Sequence, residues 1–171
     1  RMIHAFAGHI AGLGTTSGTR LVVGSWDTSP FGRFAEVMVE DATGHRTLLA
    51  PRQDVADFVA STYSFDEVRI ESVSVERGLD WSVHTHSLQL RFTSGRRLWI
   101  APLLGLVPPA VRQSPRWARL CSPIAERLMP GVQTYGSAGA GRTEWYAARD
   151  ARRLVSASAT WEDQDLGDLA P

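Results

Sequence analysis

The segment Glu144-Trp145-Tyr146-Ala147-Ala148-Arg149-Asp150 places two carboxylates, a phenol, an indole and a guanidinium within one short stretch. Such groups suit acid–base work, with a carboxylate to move a proton and Tyr146 and Arg149 to orient a polar or acidic substrate. Read as a strand, the alternation sends Glu144 and Tyr146 to one face and Trp145 to the other. If the first face lines the inside of a curled sheet, Glu144 must be paired with a cation or have its pKa raised by burial. Glu144, Tyr146, Arg149 and Asp150 are therefore the candidate ligand-binding residues, joined by Trp26 as an aromatic wall. A structural Glu–Arg ion pair is the competing account of the same residues.

The other chemically suggestive patterns each have a plainer explanation. Gly136-Ser137-Ala138-Gly139-Ala140-Gly141-Arg142-Thr143 has the spacing of a phosphate loop, but arginine replaces the lysine whose compact ammonium reaches the terminal phosphates. Too little chain follows for a nucleotide-binding parallel sheet, so the segment reads as a flexible hairpin connection. His84 and His86 would share one face of a strand and could hold a metal with Asp80 or Glu71, yet a water-facing strand side looks the same, and no metal is expected. His4, His9 and His45 fall in segments that read as irregular, where no spacing argument applies. Cys121 lies on an apolar stripe with Leu120 and Ile124 and reads as packing. Ser17 lacks the Gly-x-Ser-x-Gly spacing of a nucleophile elbow. Arg112, Arg116 and Arg119, and again Arg149, Arg152 and Arg153, form clusters that suit a carboxylate or phosphate as well as a solvated, ion-paired face.

Composition narrows the field. The sequence has no lysine and no asparagine, so all 18 basic side chains are arginines. Schiff-base chemistry, a pyridoxal anchor and a phosphate-loop lysine are excluded, and no cofactor is expected. A formal net charge of zero argues against a nucleic-acid partner, whose phosphates call for a basic excess. One cysteine excludes an internal disulfide and a cysteine-cage zinc site and makes a cytoplasmic setting the expectation. The apolar segment 98–111, from Leu98 to Val111, is too short to span a bilayer and is broken by Pro102, Pro108 and Pro109. It should pack on the body of the protein or against a second copy, as a homodimer contact.

The elements that would position these groups are mostly strands. Residues 20–26, 34–40 and 46–50 read as antiparallel strands, with turns at Ser29-Pro30-Phe31-Gly32 and at 41–44. Val55, Phe58, Val59 and Thr62 at helical spacing give a helix. Parity switches within 68–75 and 81–92 read as bulged, bent strands, with a tight turn at Ser94-Gly95. Ser114-Pro115 and Ser122-Pro123 read as helix starts. Further strands are expected near 132–135, 142–148 and 154–161, with a turn around 149–152. The predicted fold is α+β and β-dominated, a curled antiparallel sheet forming a partial or closed barrel with two or three helices. Residues 1–19 read as an irregular lead-in, 20–161 as a single β-rich domain and 162–171 as an acidic surface tail.

Through Ser29-Pro30-Phe31-Gly32 and Glu144-Trp145-Tyr146 with Arg149-Asp150, the chain resembles conserved bacterial proteins of unassigned function. That resemblance implies no activity. Gly24 and Trp26 also show the Gly-x-Trp spacing of lipocalin-like barrels, an analogy of two residues. A curled sheet with six tryptophans points to non-catalytic binding of a small, largely apolar, possibly acidic ligand in a sheet-enclosed cavity. The alternatives are an enzyme using Glu144 or Asp150 as general acid or base, and a structural or protein-interaction module.

Overall fold

Runs of alternating and β-branched residues between glycine-rich turns build almost the whole described chain. The computed structural model describes residues 4–97, 131–140 and 145–171, with side chains described for 6–96, 131, 133–135 and 151–171. In chain order the elements are β1 (His4–Thr15), β2 (Arg20–Thr28), β3 (Phe34–Glu40), β4 (Arg46–Ala50), α1 (Gln53–Thr62), β5 (Glu67–Ile70), β6 (Ser74–Arg77), β7 (Asp80–His84), β8 (Leu88–Arg97), β9 (Gly131–Ala140), β10 (Trp145–Trp161), β11 (Gln164–Asp165) and β12 (Leu169–Ala170). They form one 12-stranded sheet in the order β5-β4-β3-β2-β1-β9-β10-β8-β7-β6, with β11 on β10 and β12 on β1.

The sheet is curled and open. Its two end strands, β5 and β6, follow one another in the chain and are joined by residues 71–73. Val37 and Val39 of β3 belong to the same buried cluster as Trp81 and Val83 of β7 and Leu88, Leu90 and Phe92 of β8, although several strands lie between them in the sheet. Only curvature brings those faces together, so this cluster fills the concave side. Alternation places the other parity on the convex side, where Phe6, Trp26, Phe34, Leu48 and Ala50 form a second core under Val55, Ala56 and Val59 of α1. As the crossover between β4 and β5, α1 allows the one parallel pairing among the described residues, Thr47 to Ala50 against Glu67 to Ile70.

Several sequence expectations are corrected. The lead-in 1–19 contains β1, a central strand paired with both β2 and β9. Its glycines obscure the strand pattern because neighbouring backbone lies too close for side chains: a Cβ on Gly8 would run into the Ser25 carbonyl oxygen, and one on Gly14 into that of Ala170. The acidic tail 162–171 is built into the body, with β12 on β1 and Leu166 in the concave core. The expected bulge within 68–75 is the crossing between the sheet's two ends. The expected bent strand through 81–92 is a β7–β8 hairpin, in whose turn Thr85 Oγ1 accepts from the Leu88 amide at 2.7 Å. Ser94 and Gly95 lie within β8, residues 136–140 within β9, and 149–152 within β10. Among the described residues α1 is the one helix; the helices expected after Ser114 and Ser122, Cys121, the arginines at 112, 116 and 119, and the contact segment 98–111 all lie outside the described residues. No described helix is long and apolar enough to cross a membrane.

Candidate functional site

On the concave face the apolar core gives way to polar side chains at one end. In β1, Leu13 and Ala11 are core, and His9 continues the same parity. Across the β1–β9 ladder Ala11 stands opposite Gln133 and His9 opposite Tyr135, and in the β9–β10 ladder Gln133 stands opposite Arg152. Asp27 enters through an irregularity: Ala7 pairs with Thr28 and Gly8 with Trp26, leaving Asp27 as the extra residue. Such bulges re-aim a side chain. Arg77, opposite Trp81 in the β6–β7 hairpin, comes from the far end of the sheet.

His9, Gln133, Thr134, Tyr135 and Arg152 line a pocket of about 370 Å³. His9 ties the pocket to an aromatic and ionic cluster. The His9 ring stands edge-on to Trp81 at 5.4 Å between centroids and lies 4.9 Å from the ring of Tyr135. The Arg77 guanidinium sits 5.9 Å from the Trp81 ring centre, donates to both Asp27 carboxylate oxygens at 2.5 and 3.3 Å, and donates to His9 Nδ1. Arg33 adds a long, exposed contact to Asp27 at 3.9 Å. Gln133 accepts from the hydroxyl of Ser94 and is buried. The arrangement offers hydrogen-bond donors and a cation beside aromatic faces. Among the described residues, no three His, Cys, Asp or Glu side chains are grouped to hold a metal.

On the convex side Trp26 Nε1 donates to Glu36 at 3.1 Å (Oε2) and 3.3 Å (Oε1). Glu36 is opposite Gly24 in the β2–β3 ladder, where a Cβ would strike its carboxylate. Burial is the larger influence on this acid and pushes its pKa up to about 7, against the hydrogen bonds that favour the charged form. Trp26 thus belongs to the convex core and does not line the pocket.

Of the other candidate residues, Glu144 lies outside the described residues, as do the side chains of Tyr146, Arg149 and Asp150. The backbone of β10 pairs Tyr146 with Ala138 and Asp150 with Tyr135, with a register irregularity between Ala148 and Asp150 that leaves Arg149 as the extra residue. His84 is exposed on β7 and hydrogen-bonded to Gln89, while exposed His86 lies in the following turn. Residues 136–140 of the phosphate-loop-like segment pair with β1 on one side, and 136–139 with β10 on the other. Sequence reasoning passed over His9, Asp27, Arg77, Gln133 and Tyr135. The Ala7, His9, Ala11, Leu13 alternation was the one available signal, hidden among small residues.

No protein-family model and no curated protein matches the chain. Among solved structures, the 2.00 Å crystal structure of a Nitrosomonas europaea protein provisionally called AttH is similar over 87% of this chain and 38% of that one, with a TM-score of 0.34 and 12% sequence identity. This chain spans 38% of that protein's length, and a likeness at this level carries no functional argument.

Proposed function

We propose that the protein binds a small acidic molecule, without transforming it, at the polar mouth of the curled sheet. The observation that carries this reading is the convergence of His9, Gln133, Tyr135 and Arg152 on one concave pocket of about 370 Å³, the volume of a small organic ligand. The concave core behind it is filled by fully buried side chains such as Leu13, Leu21, Val23, Leu88 and Leu90. The apolar part of the ligand is therefore limited to what the aromatic rings at the mouth can cover. Arg152 supplies positive charge, and its planar fork suits a carboxylate or phosphate better than a neutral group.

Titration of 15N-labelled protein with small organic acids and their neutral amides tests this. Acids should shift the backbone signals of His9, Gln133, Tyr135 and Arg152 while amides leave them in place, and Arg152→Gln should weaken the acid about tenfold, as loss of a charge-assisted hydrogen bond does. Silence at all four positions with every acid would end the reading.

A further inference from the structure

We infer that Gln133 receives the ligand's head group: its Nε2 donates to an acid oxygen at the buried end of the pocket, Ser94 holds the amide in that orientation, and the body of the ligand points outward past Tyr135. The inference rests on the acid-binding reading above and adds how the molecule lies in the site.

The pocket has an inner and an outer end. Gln133 is 9% exposed and His9 half-buried, whereas Tyr135 and Arg152 are exposed. Strand register explains the gradient. Gln133 stands opposite the core residue Ala11, and two positions back along β9 a Cβ on Gly131 would crowd Leu13 and Leu154 of the same core. Gln133 is thus the first polar side chain beyond the apolar core on the concave face of β9, and Tyr135 follows it toward the mouth.

A buried primary amide needs partners at both ends, acceptors for its two N–H groups and a donor for its oxygen. Ser94 continues the parity of Leu90 and Phe92 on β8 and stands opposite the core residue Leu154, so its hydroxyl lies on the concave face and donates to Gln133 Oε1. That bond turns the oxygen toward β8 and leaves Nε2 as the end for the pocket. Among the described residues Nε2 has no acceptor, and a buried donor left without one is costly. An acceptor oxygen on the ligand completes the amide. An apolar group there would leave the two N–H groups unpaired, and an ammonium would set donor against donor. With the head group taken at the inner end, the rest of the ligand runs to the outer end, where the Tyr135 ring offers an aromatic surface. Carboxylate and phosphoryl oxygens both satisfy the amide, so Gln133 selects an acceptor over a donor and sets orientation without choosing between acids. Ser94 is a positioning residue, because it acts through Gln133.

The sequence has five glutamines and no asparagine, so side-chain amides give only five NH2 pairs in the 1H–15N spectrum of the labelled protein, and Gln133→Met identifies the pair that matters. Propionate, hexanoate and phenyl phosphate should each move that pair. Hexanoate should disturb Tyr135 more than propionate does while moving the Gln133 pair equally, because the longer tail grows toward the mouth. Gln133→Met should weaken each acid about tenfold while its unfolding temperature holds or rises, since the unpaired donor is gone. Ser94→Ala, a milder change, should move the Gln133 pair in the unliganded protein and weaken the acids by a smaller factor. Acids that move the backbone signals of the pocket but not the Gln133 pair would overturn the inference. So would a Gln133→Met protein that loses stability but keeps its acid affinity, or a Ser94→Ala protein with both the pair and the affinity unchanged. The acid-binding reading stands in those three cases. A Gln133 shift that fades from propionate to hexanoate would put the tail inward and overturn the orientation. If no acid moves any pocket signal, the acid-binding reading fails and this inference with it.

Discussion

Glu36 shows how one buried carboxylate sets a pH dependence. Its environment supplies one indole N–H and its own backbone amide, which do not replace the water it has lost. With a folded-state pKa raised from 4.5 to about 7, the folded protein binds a proton more tightly than the unfolded chain does. The group's contribution to stability is fully present below about pH 4.5 and is lost as pH rises through about 7. Above that, folding buries a charge at a cost of roughly 3 kcal/mol. Glu36→Gln should therefore raise stability at pH 8 by up to about 3 kcal/mol and change it little at pH 4. Urea unfolding of both proteins at the two pH values checks this. An equal difference at pH 4 and pH 8 would show that the carboxyl's charge is not the cause.

At the scale of elements, the strongest patterns in the sequence became the expected structures and the ambiguous ones did not. β2, β3, β4 and α1 stand where they were expected, β3 and α1 because their apolar residues recur at the period of a strand and of a helix, and β4 because the turn at 41–44 returns the chain. A parity switch is the same in sequence whether it marks a bulge, a turn or a crossing, and only tertiary pairing shows a crossing at 71–73 and a turn at 85–87. β1 was missed because small residues carry little strand signal, although they are what close packing there requires. The candidate site was legible only at one cluster's edge, since His9, Asp27 and Arg77 meet through closure of the sheet, which no local pattern encodes. Leu166, taken as part of a surface tail, is 5% exposed within the concave core, so Leu166→Ala should cost about 2–4 kcal/mol in chemical unfolding. A cost below about 0.5 kcal/mol, the usual scale of a surface change, would return the segment to the surface. Residues 136–140, extended and paired with β1, with 136–139 also paired with β10, have their amides committed to ladders and cannot cradle phosphates as a loop does. Calorimetric titration with ATP and magnesium should therefore give no heat beyond dilution, and saturable binding abolished by Gly139→Val would refute this.

The molecule as a whole depends on contacts that close it from both ends. Across the opening between β5 and β6 the described residues show side-chain links in place of a backbone ladder. Arg69 of β5 pairs with Glu67 and with Glu162 beyond β10, donates to Ser87 at 3.1 Å and lies 5.0 Å from the Trp161 ring centre. Glu71 accepts from the Ser87 amide at 3.0 Å, and Arg77 of β6 reaches Asp27 and His9 on β2 and β1. The sheet's centre is equally non-local, since β1 finds β9 from His4 opposite Ala140 to Leu13 opposite Gly131. The entropy of closing so long a loop is lost before the β1–β9 ladder can offset it. Refolding should accordingly be slow for a protein of this size, with completion on the order of milliseconds to seconds or longer. Hydrogen-exchange pulse labelling should protect the local β2–β3–β4 and β7–β8 hairpins before β1 and β9. Arg69→Met, which removes the ion pairs and most of the ring contact at the seam, should increase exchange in β5 and β6 and leave the β2–β3 amides protected as before. If the whole sheet loosens together in that variant, the opening between β5 and β6 is not an independent seam, and the curl is held by the concave core alone.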